Sequence, residues 1–197
     1  EIVTALEASS DDKLIWVGTD YGLNLLQVSN NSISRVGAVE NNRVNTVEVD
    51  DPFVWVGTDF GIFLHDRKTG EWTSVTGSVQ GANSRVNDIA ATPAEVWFAR
   101  NRGVEYFNKD NGKWQSLPRV RYNNAQALCV LPGDSLVWFG ANNGLFKYNR
   151  KTDEYIRYTT QEGLPSNKIY DIHIEGDYLW LGTEQGLVRF FWNDTYR

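Results

Sequence analysis

The stretch Trp16-Val17-Gly18-Thr19-Asp20-Tyr21-Gly22-Leu23 decides the fold of this chain, because the sequence repeats it in variant form. The tryptophans that begin the phrase are 39, 42, 41 and 42 residues apart; they are Trp16, Trp55, Trp97, Trp138 and Trp180. Six residues after each comes a glycine followed by an aliphatic residue; the glycines are Gly22, Gly61, Gly103, Gly144 and Gly186. Five coincidences in one register indicate an internal repeat of about 40 residues.

Each repeat can be divided into four short β-strands. The first strands are predicted at residues 3–8, 44–49, 86–91, 125–130 and 169–174. The second strand carries the tryptophan phrase, and the repeated glycine permits the left-handed backbone that a tight hairpin requires before the third strand. A polar turn and a fourth strand follow, which opens with an aromatic residue in the middle repeats (Trp72, Trp114, Tyr155). Four strands in about 40 residues is typical of a β-propeller blade.

The sequence therefore predicts an all-β fold, a β-propeller of five four-stranded blades whose last blade is incomplete. We expect a single domain over residues 1–197, with units at about 1–40, 41–82, 83–121, 122–165 and 166–197. Two arrangements fit this phasing, a closed five-bladed ring and an arc of a larger propeller. An open arc would expose an apolar blade face at each end, larger than soluble monomers tolerate, and this favours the closed ring. The glycine or alanine two positions after each tryptophan would let neighbouring blades approach closely.

Residues 14–23 and 179–187 resemble the repeat of the two-component regulator propellers, as does the linker at residues 158–169. The resemblance extends over all five units, although the third (Ala99-Arg100) and fourth (Gly140-Ala141) depart from the Gly-Thr form. It implies a sensor region of an exported bacterial signalling protein, with a periplasmic or secreted location. It identifies blades and not a ligand.

The charge and composition exclude several partners. A net charge of −6 argues against nucleic acid, which needs clustered Lys and Arg. No run approaches the roughly 18 apolar residues of a membrane-spanning helix. The lone Cys129 lies in an apolar run and is expected to be a small buried side chain. We predict no metal site and no cofactor.

The turns between second and third strands and the linkers between blades are expected to share one face, the usual recognition surface of a propeller. Aromatic, amide and arginine side chains there could bind a saccharide or a peptide by stacking and hydrogen bonding. The candidate ligand-binding residues are Tyr21, Phe60, Arg102, Tyr122, Asn143, Gln185, Arg43 and Arg85. The alternative is that the polar members only satisfy turn backbones, whereas a tight turn needs no aromatic ring or arginine.

No catalytic residue is predicted, and the chain is interpreted as non-enzymatic. His65 and His173 are expected to be partly buried and hydrogen-bonded between blades, with His173 aligned with Glu48 and Cys129. Asp88 and Asp171 occupy one position of two inner strands, but no third acid or apolar pocket is indicated that would raise a carboxyl pKa. The leading hypothesis is a sensor or recognition propeller attached to a signalling module. A structural or protein-interaction propeller is the alternative, and a carbohydrate-active enzyme is the least favoured.

Overall fold

The computed structural model describes residues 1–75, 85–101, 103–117, 127–133 and 135–192, except for the side chains of residues 127–129. This part of the chain is all-β, with five antiparallel sheets and two single-turn 3-10 helices at Gly37–Val39 and Thr160–Glu162. Neither helix is long enough to cross a membrane.

The strands follow one another through the sheets in chain order, each antiparallel to its neighbours. Sheet 1 contains β1 (Val3–Ala8), β2 (Leu14–Thr19), β3 (Gly22–Gln27) and β4 (Ser32–Val36). Sheet 2 contains β5 (Val44–Asp50), β6 (Phe53–Thr58), β7 (Gly61–Asp66) and β8 (Trp72–Val75). Sheet 3 contains β9 (Val86–Ala91), β10 (Glu95–Arg100), β11 (Gly103–Asn108) and β12 (Lys113–Ser116). Sheet 4 contains β13 (Ala127–Leu131), β14 (Leu136–Ala141), β15 (Gly144–Asn149) and β16 (Glu154–Tyr158). Sheet 5 contains β17 (Ile169–Glu175), β18 (Tyr178–Thr183) and β19 (Gly186–Phe191).

The predicted repeat unit is confirmed: four sheets have four strands, and the described part of the fifth has three. One predicted register is wrong. In sheet 4, Leu131 pairs with Trp138 and Cys129 pairs with Gly140. His173, which pairs with Trp180, is therefore equivalent to Leu131 and not to Cys129. The apolar run at this strand gave no pattern from which the sequence could fix the register. The side chain of Cys129 lies outside the described residues.

The core lies between consecutive sheets. The tryptophan of one sheet and the aliphatic residue after its glycine pack onto first- and second-strand residues of the next sheet, as when Trp16 and Leu23 cover Val44 and Val47. The same arrangement recurs at the other three internal interfaces, where Trp55, Trp97 and Trp138 are buried in the same way. Burying a large ring in each interface makes these the main source of stability.

The close approach predicted at the glycines is confirmed for two of these interfaces. A Cβ atom added at Gly18 would lie 2.6 Å from Cγ1 of Val44, and one added at Gly57 would lie 2.7 Å from Cγ1 of Val86. Both valines belong to the following sheet. Glycine at this position therefore makes room for the side chain of the next blade.

Sheets 1 and 5 each present one uncovered apolar face. Val3 and Leu6 of sheet 1 are 55% and 63% exposed, and Leu187 of sheet 5 is 70% exposed, although their internal equivalents are buried. These side chains would be covered if sheet 1 packed on sheet 5 within the molecule. Ring closure is therefore not shown, and the closed ring that we favoured from the sequence has no support in the described residues.

Candidate functional site

The turn between second and third strands is built in one way in sheets 1, 2 and 5. In each, a threonine hydroxyl donates to the glycine carbonyl that begins the third strand, as Thr58 does to Gly61 at 3.0 Å. The same hydroxyl accepts from the backbone N–H two residues on, as Thr58 does from Phe60 at 3.1 Å. The Gly-Thr form of the repeat thus fixes the backbone of the turn, and the side chain at the turn's second residue is free to point outward.

The prediction that turns and linkers share one face agrees with a repeated backbone hydrogen bond. Its N–H belongs to the first turn residue and its carbonyl to the linker before the first strand of the same sheet. Asp59 donates to Arg43 at 3.2 Å and Asn101 donates to Arg85 at 3.4 Å. Asp20 and Glu184 make the equivalent bond in sheets 1 and 5. We call this surface the turn face.

Two aromatic side chains stand out from the turn face. Tyr21 and Phe60 occupy equivalent turn positions in sheets 1 and 2 and are 60% and 62% exposed. Neither ring stacks on another described aromatic ring, and neither lies under a described cation. Exposed rings without a packing role are the groups most suited to bind a ligand.

Arg85 belongs to a polar network between sheets 2 and 3. Its guanidinium lies 3.4 Å from Oδ1 of Asp59 and donates to Oδ1 of Asn87 at 2.9 Å and of Asn45 at 3.3 Å. Asn45 in turn donates to Asp59 at 2.9 Å and to the carbonyl of Val86 at 3.0 Å. Arg85 is therefore held in place, so that it ties two sheets together and also contributes positive charge to the turn face.

The remaining candidate residues have different surroundings. Arg43 and Gln185 are exposed, whereas Asn143 is half-buried. Oδ1 of Asn143 is covered and accepts no hydrogen bond within the part of the chain that the structure describes. Arg102 and Tyr122 lie outside the described residues, so their place on the turn face remains a prediction.

Sheet 3 builds its turn differently, as its sequence suggested. Arg100 stands where sheets 1 and 2 have threonine, and its guanidinium forms a buried ion pair with Glu105. The pair joins β10 to β11 just before the turn that carries Asn101. A charged pair in this position keeps the hairpin closed without the threonine hydroxyl.

Carboxylates of the inner strands connect neighbouring sheets, which sequence reasoning missed. Oε1 of Glu48 accepts from the backbone N–H of Ala91 in the next sheet at 2.8 Å. Asp88 accepts from Val130 of the following sheet at 2.9 Å with one oxygen, and from its neighbour Ile89 with the other. The sequence offered little signal, because other repeats also carry charged residues at these two positions, Glu7 for Glu48 and Asp171 for Asp88.

Burial raises the pKa of Glu48 to about 7 and that of Asp88 to about 6. Backbone hydrogen bonds oppose both shifts, and repulsion from Glu7 for Glu48 and from Asp171 for Asp88 adds to them. The expectation that nothing raises a carboxyl pKa here is therefore wrong, because packing between sheets removes water from these groups. Among the described residues, no three His, Cys, Asp or Glu side chains are grouped so as to hold a metal ion.

The two histidines differ. His65 is half-buried, stacks on Trp72 at 4.5 Å and meets the edge of Trp16 at 5.7 Å, with Nδ1 3.1 Å from the carbonyl of Glu71. It therefore fills space between sheets 1 and 2, as expected, but the expected hydrogen bond between blades is not formed among the described residues, because the Glu71 carbonyl belongs to its own repeat. His173 is exposed, so the expectation of a partly buried side chain is wrong for it. The reason is that it lies in sheet 5, whose outer face is covered by no other sheet among the described residues.

Known families and curated proteins offer no sequence match to this chain. Among solved structures, it resembles the extracellular domain of the putative one component system BT4673 from B. thetaiotaomicron, with a TM-score of 0.83, 20% identity and 98% of this chain covered. The extracellular domain of the putative hybrid two component system BT3049 from the same organism gives a TM-score of 0.77 at 19% identity over 97%. The computationally designed Ika8 protein gives 0.71 at 18% identity over the whole chain, which spans 61% of Ika8.

This chain spans only 28% of the length of either B. thetaiotaomicron structure. At these identities the likeness concerns the fold alone. The resemblance to two-component regulator propellers predicts such neighbours, and that prediction is confirmed: the chain has the fold found in extracellular domains of putative one- and two-component systems.

Proposed function

We propose that this chain is the non-enzymatic recognition region of an exported bacterial signalling protein, and that it binds a saccharide or a peptide on the turn face. The observation that carries the proposal is the exposure of Tyr21 and Phe60 at equivalent positions of two adjacent sheets. Rings of this kind stack on the C–H faces of sugars or on apolar peptide side chains.

Charged groups beside the rings supply the polar half of such a site. Asp20 precedes Tyr21, and Asp59 precedes Phe60 and lies 3.4 Å from Arg85. Asp20 uses Oδ1 to accept from the backbone N–H of Ile2 at 2.8 Å, which leaves its second oxygen for a ligand hydroxyl. Because the threonine-capped turns are rigid, little conformational entropy is lost when a ligand binds there.

The inner-strand acids support a non-enzymatic interpretation. Both oxygens of Asp88 accept backbone hydrogen bonds, and Glu48 holds the N–H of the next sheet. Their raised pKa values follow from the packing between sheets and do not require a catalytic role. A glycosidase would need one free acid and one free nucleophile or base on opposite sides of a substrate.

The extracytoplasmic location and the attached signalling module are part of the proposal. They rest on the sequence resemblance and on the fold shared with extracellular domains of putative one- and two-component systems. Consecutive sheets pack through apolar interfaces, which are suited to transmit ligand binding to an attached module.

The first experiment measures thermal unfolding of the chain across panels of oligosaccharides and peptides. A ligand at about a hundredfold its dissociation constant adds roughly 2.7 kcal/mol to the free energy of unfolding and raises the midpoint by several degrees.

We expect Tyr21→Ala and Phe60→Ala each to weaken binding of the selected ligand by about tenfold or more. Phe191→Ala is the matched control, because this exposed ring lies at the opposite end of its strand from the turn. Equal binding by wild type and the Tyr21/Phe60 double variant would show that the turn face is not the site.

A protein-interaction propeller without a small ligand is the second candidate, favoured by the uncovered apolar faces of sheets 1 and 5. No response to any oligosaccharide or peptide would favour it. A protein partner bound through the charged turns would bind more weakly as salt is raised, whereas a partner on these apolar faces, like a stacked sugar, would be nearly insensitive to salt.

A further inference from the structure

The uncovered faces of sheets 1 and 5 are the two halves of one interface that the chain builds four times internally. At an internal interface, one sheet contributes a tryptophan and the aliphatic residue after its glycine, and the next sheet contributes first-strand aliphatic residues. Sheet 5 presents the first half, with Trp180 half-buried and Leu187 exposed. Sheet 1 presents the second half, with Val3 and Leu6 exposed.

The equivalences follow from strand pairing. Leu187 pairs with Gly182 as Leu23 pairs with Gly18. Leu6 pairs with Val17 as Val47 pairs with Val56. Where both halves are present in the molecule, as for Leu23 against Val47, both side chains are buried. Among the described residues, the equivalent apolar groups are exposed only on the faces of sheets 1 and 5 that no other described sheet covers.

The polar part of the interface is also divided between the two ends. Asp88 accepts from the backbone N–H of Val130 in the next sheet at 2.9 Å. Asp171 is equivalent to Asp88, because Asp171 pairs with Gly182 as Asp88 pairs with Ala99, in each case two residues after the tryptophan. Leu6 is equivalent to Val130, because each pairs with the residue directly after the tryptophan. Asp171 is exposed, and its Oδ1 accepts from Ile172, its own chain neighbour, at 2.9 Å. By equivalence with Asp88, its Oδ2 would accept from the N–H of a Leu6 placed as Val130 is.

We propose that sheet 5 of one copy of this chain packs on sheet 1 of a second copy, in a head-to-tail interface of the same design as the internal ones. The two faces do not cover each other within one molecule, because Leu6 and Leu187 are exposed together. Each face is complementary to the other and not to itself. The contact is therefore heterologous, so it closes into a ring or extends into a longer oligomer.

The test measures mass by light scattering after size exclusion, over a dilution series of the full chain. We expect at least twice the 22.4 kDa of one chain at high concentration. Leu6→Arg and Leu187→Arg should each abolish assembly, because each places a charge in one half of the interface. An equimolar mixture of the two variants should recover a 1:1 complex, since Leu6→Arg keeps an intact sheet 5 and Leu187→Arg keeps an intact sheet 1.

Ile156→Arg serves as the control, since Ile156 is exposed on the outermost strand of sheet 4. It should assemble like wild type. The double variant Leu6→Arg/Leu187→Arg should stay monomeric alone and in any mixture, and the circular dichroism of every variant should match wild type because the substituted positions are exposed. A monomeric wild type at all concentrations overturns the proposal, and it would mean that other sequence or another partner covers these faces. Assembly of either single variant alone, or a mixture that stays monomeric, overturns the head-to-tail pairing.

Discussion

The interface between sheets 1 and 2 and the outer face of sheet 5 carry nearly the same sequence phrase but differ in every measure of packing. Leu23 is fully buried, whereas its equivalent Leu187 is 70% exposed. A Cβ atom at Gly22 would lie 3.1 Å from the carbonyl of Val39, whereas one at Gly186 would meet nothing within 4 Å. The strands and the turn are the same in both places.

The difference shows which features one repeat forms from its own sequence and which features require packing against the next sheet. Alternating strands, the threonine-capped turn and the glycine with positive φ form in sheet 5 as in sheet 1, because they depend on local sequence. Burial of the tryptophan depends on the next sheet. A repeat of this kind cannot bury its apolar face alone, so stability is a sum of unit and interface contributions.

The largest expected difference in the free energy of unfolding is between the variants Trp55→Ala and Trp180→Ala. Trp55 is buried against Phe98 and Phe107, with ring centroids 5.5 and 5.9 Å away. Its removal should lower the free energy of unfolding by about 3–5 kcal/mol. Trp180 is half-buried and should cost about 1 kcal/mol. Urea unfolding in the Leu6→Arg background, where assembly is blocked, measures both. Equal losses would contradict the view that burial comes from the following sheet.

A smaller loss in the free energy of unfolding is expected when alanine replaces the glycine two residues after the tryptophan. At Gly57 the new methyl group would lie 2.6 Å from Cγ2 of Thr46 and 2.7 Å from Cγ1 of Val86, and the overpacking should cost about 1–3 kcal/mol. At Gly182 the nearest atom, Cβ of Asp171, is 3.3 Å away, and the cost should stay below about 1 kcal/mol. Chemical unfolding of the two variants checks the ranking.

A double-mutant cycle sharpens this comparison. The sequence has alanine at position 99, where other repeats have glycine, and it also has alanine at position 127, which is equivalent to Val86. Gly57→Ala should therefore cost less in a Val86→Ala background than alone. Equal costs in both backgrounds would show that the clash with Val86 is not what destabilises the variant.

The sequence was sufficient to predict the structural features that recur in every repeat. The tryptophan–glycine register located the second and third strands in all five units, and the polar turns located the hairpins. The exposed rings of Tyr21 and Phe60 could be picked out because turn geometry does not require them. These predictions depend on local chemistry that recurs in one register.

Two features that depend on neighbouring sheets could not be predicted. The exposure of His173 follows from its place in the last sheet, and the raised pKa of Glu48 follows from packing between sheets 2 and 3. In the sequence, Glu48 looks like any acid on a polar strand position. Only the three-dimensional order of the sheets shows that water is removed from it.

The smallest expected effect is on the pH dependence of the free energy of unfolding, and it again compares an internal interface with a sheet at one end of the row. Burial raises the pKa of Glu48 from 4.5 to about 7, so the folded state holds this proton more tightly than the unfolded state. Its contribution to stability is complete below pH 4.5 and is lost as the pH rises through 7. Because the group is only half-buried, we expect a loss of about 1 kcal/mol between pH 5 and 8. Glu48→Gln cannot ionise and should flatten this slope, whereas Glu7→Gln, at the equivalent position of sheet 1 where burial also raises the carboxyl pKa, should flatten it less. Unfolding in urea at several pH values measures all three, and an unchanged slope in Glu48→Gln would assign the pH dependence to other groups, Asp88 first among them.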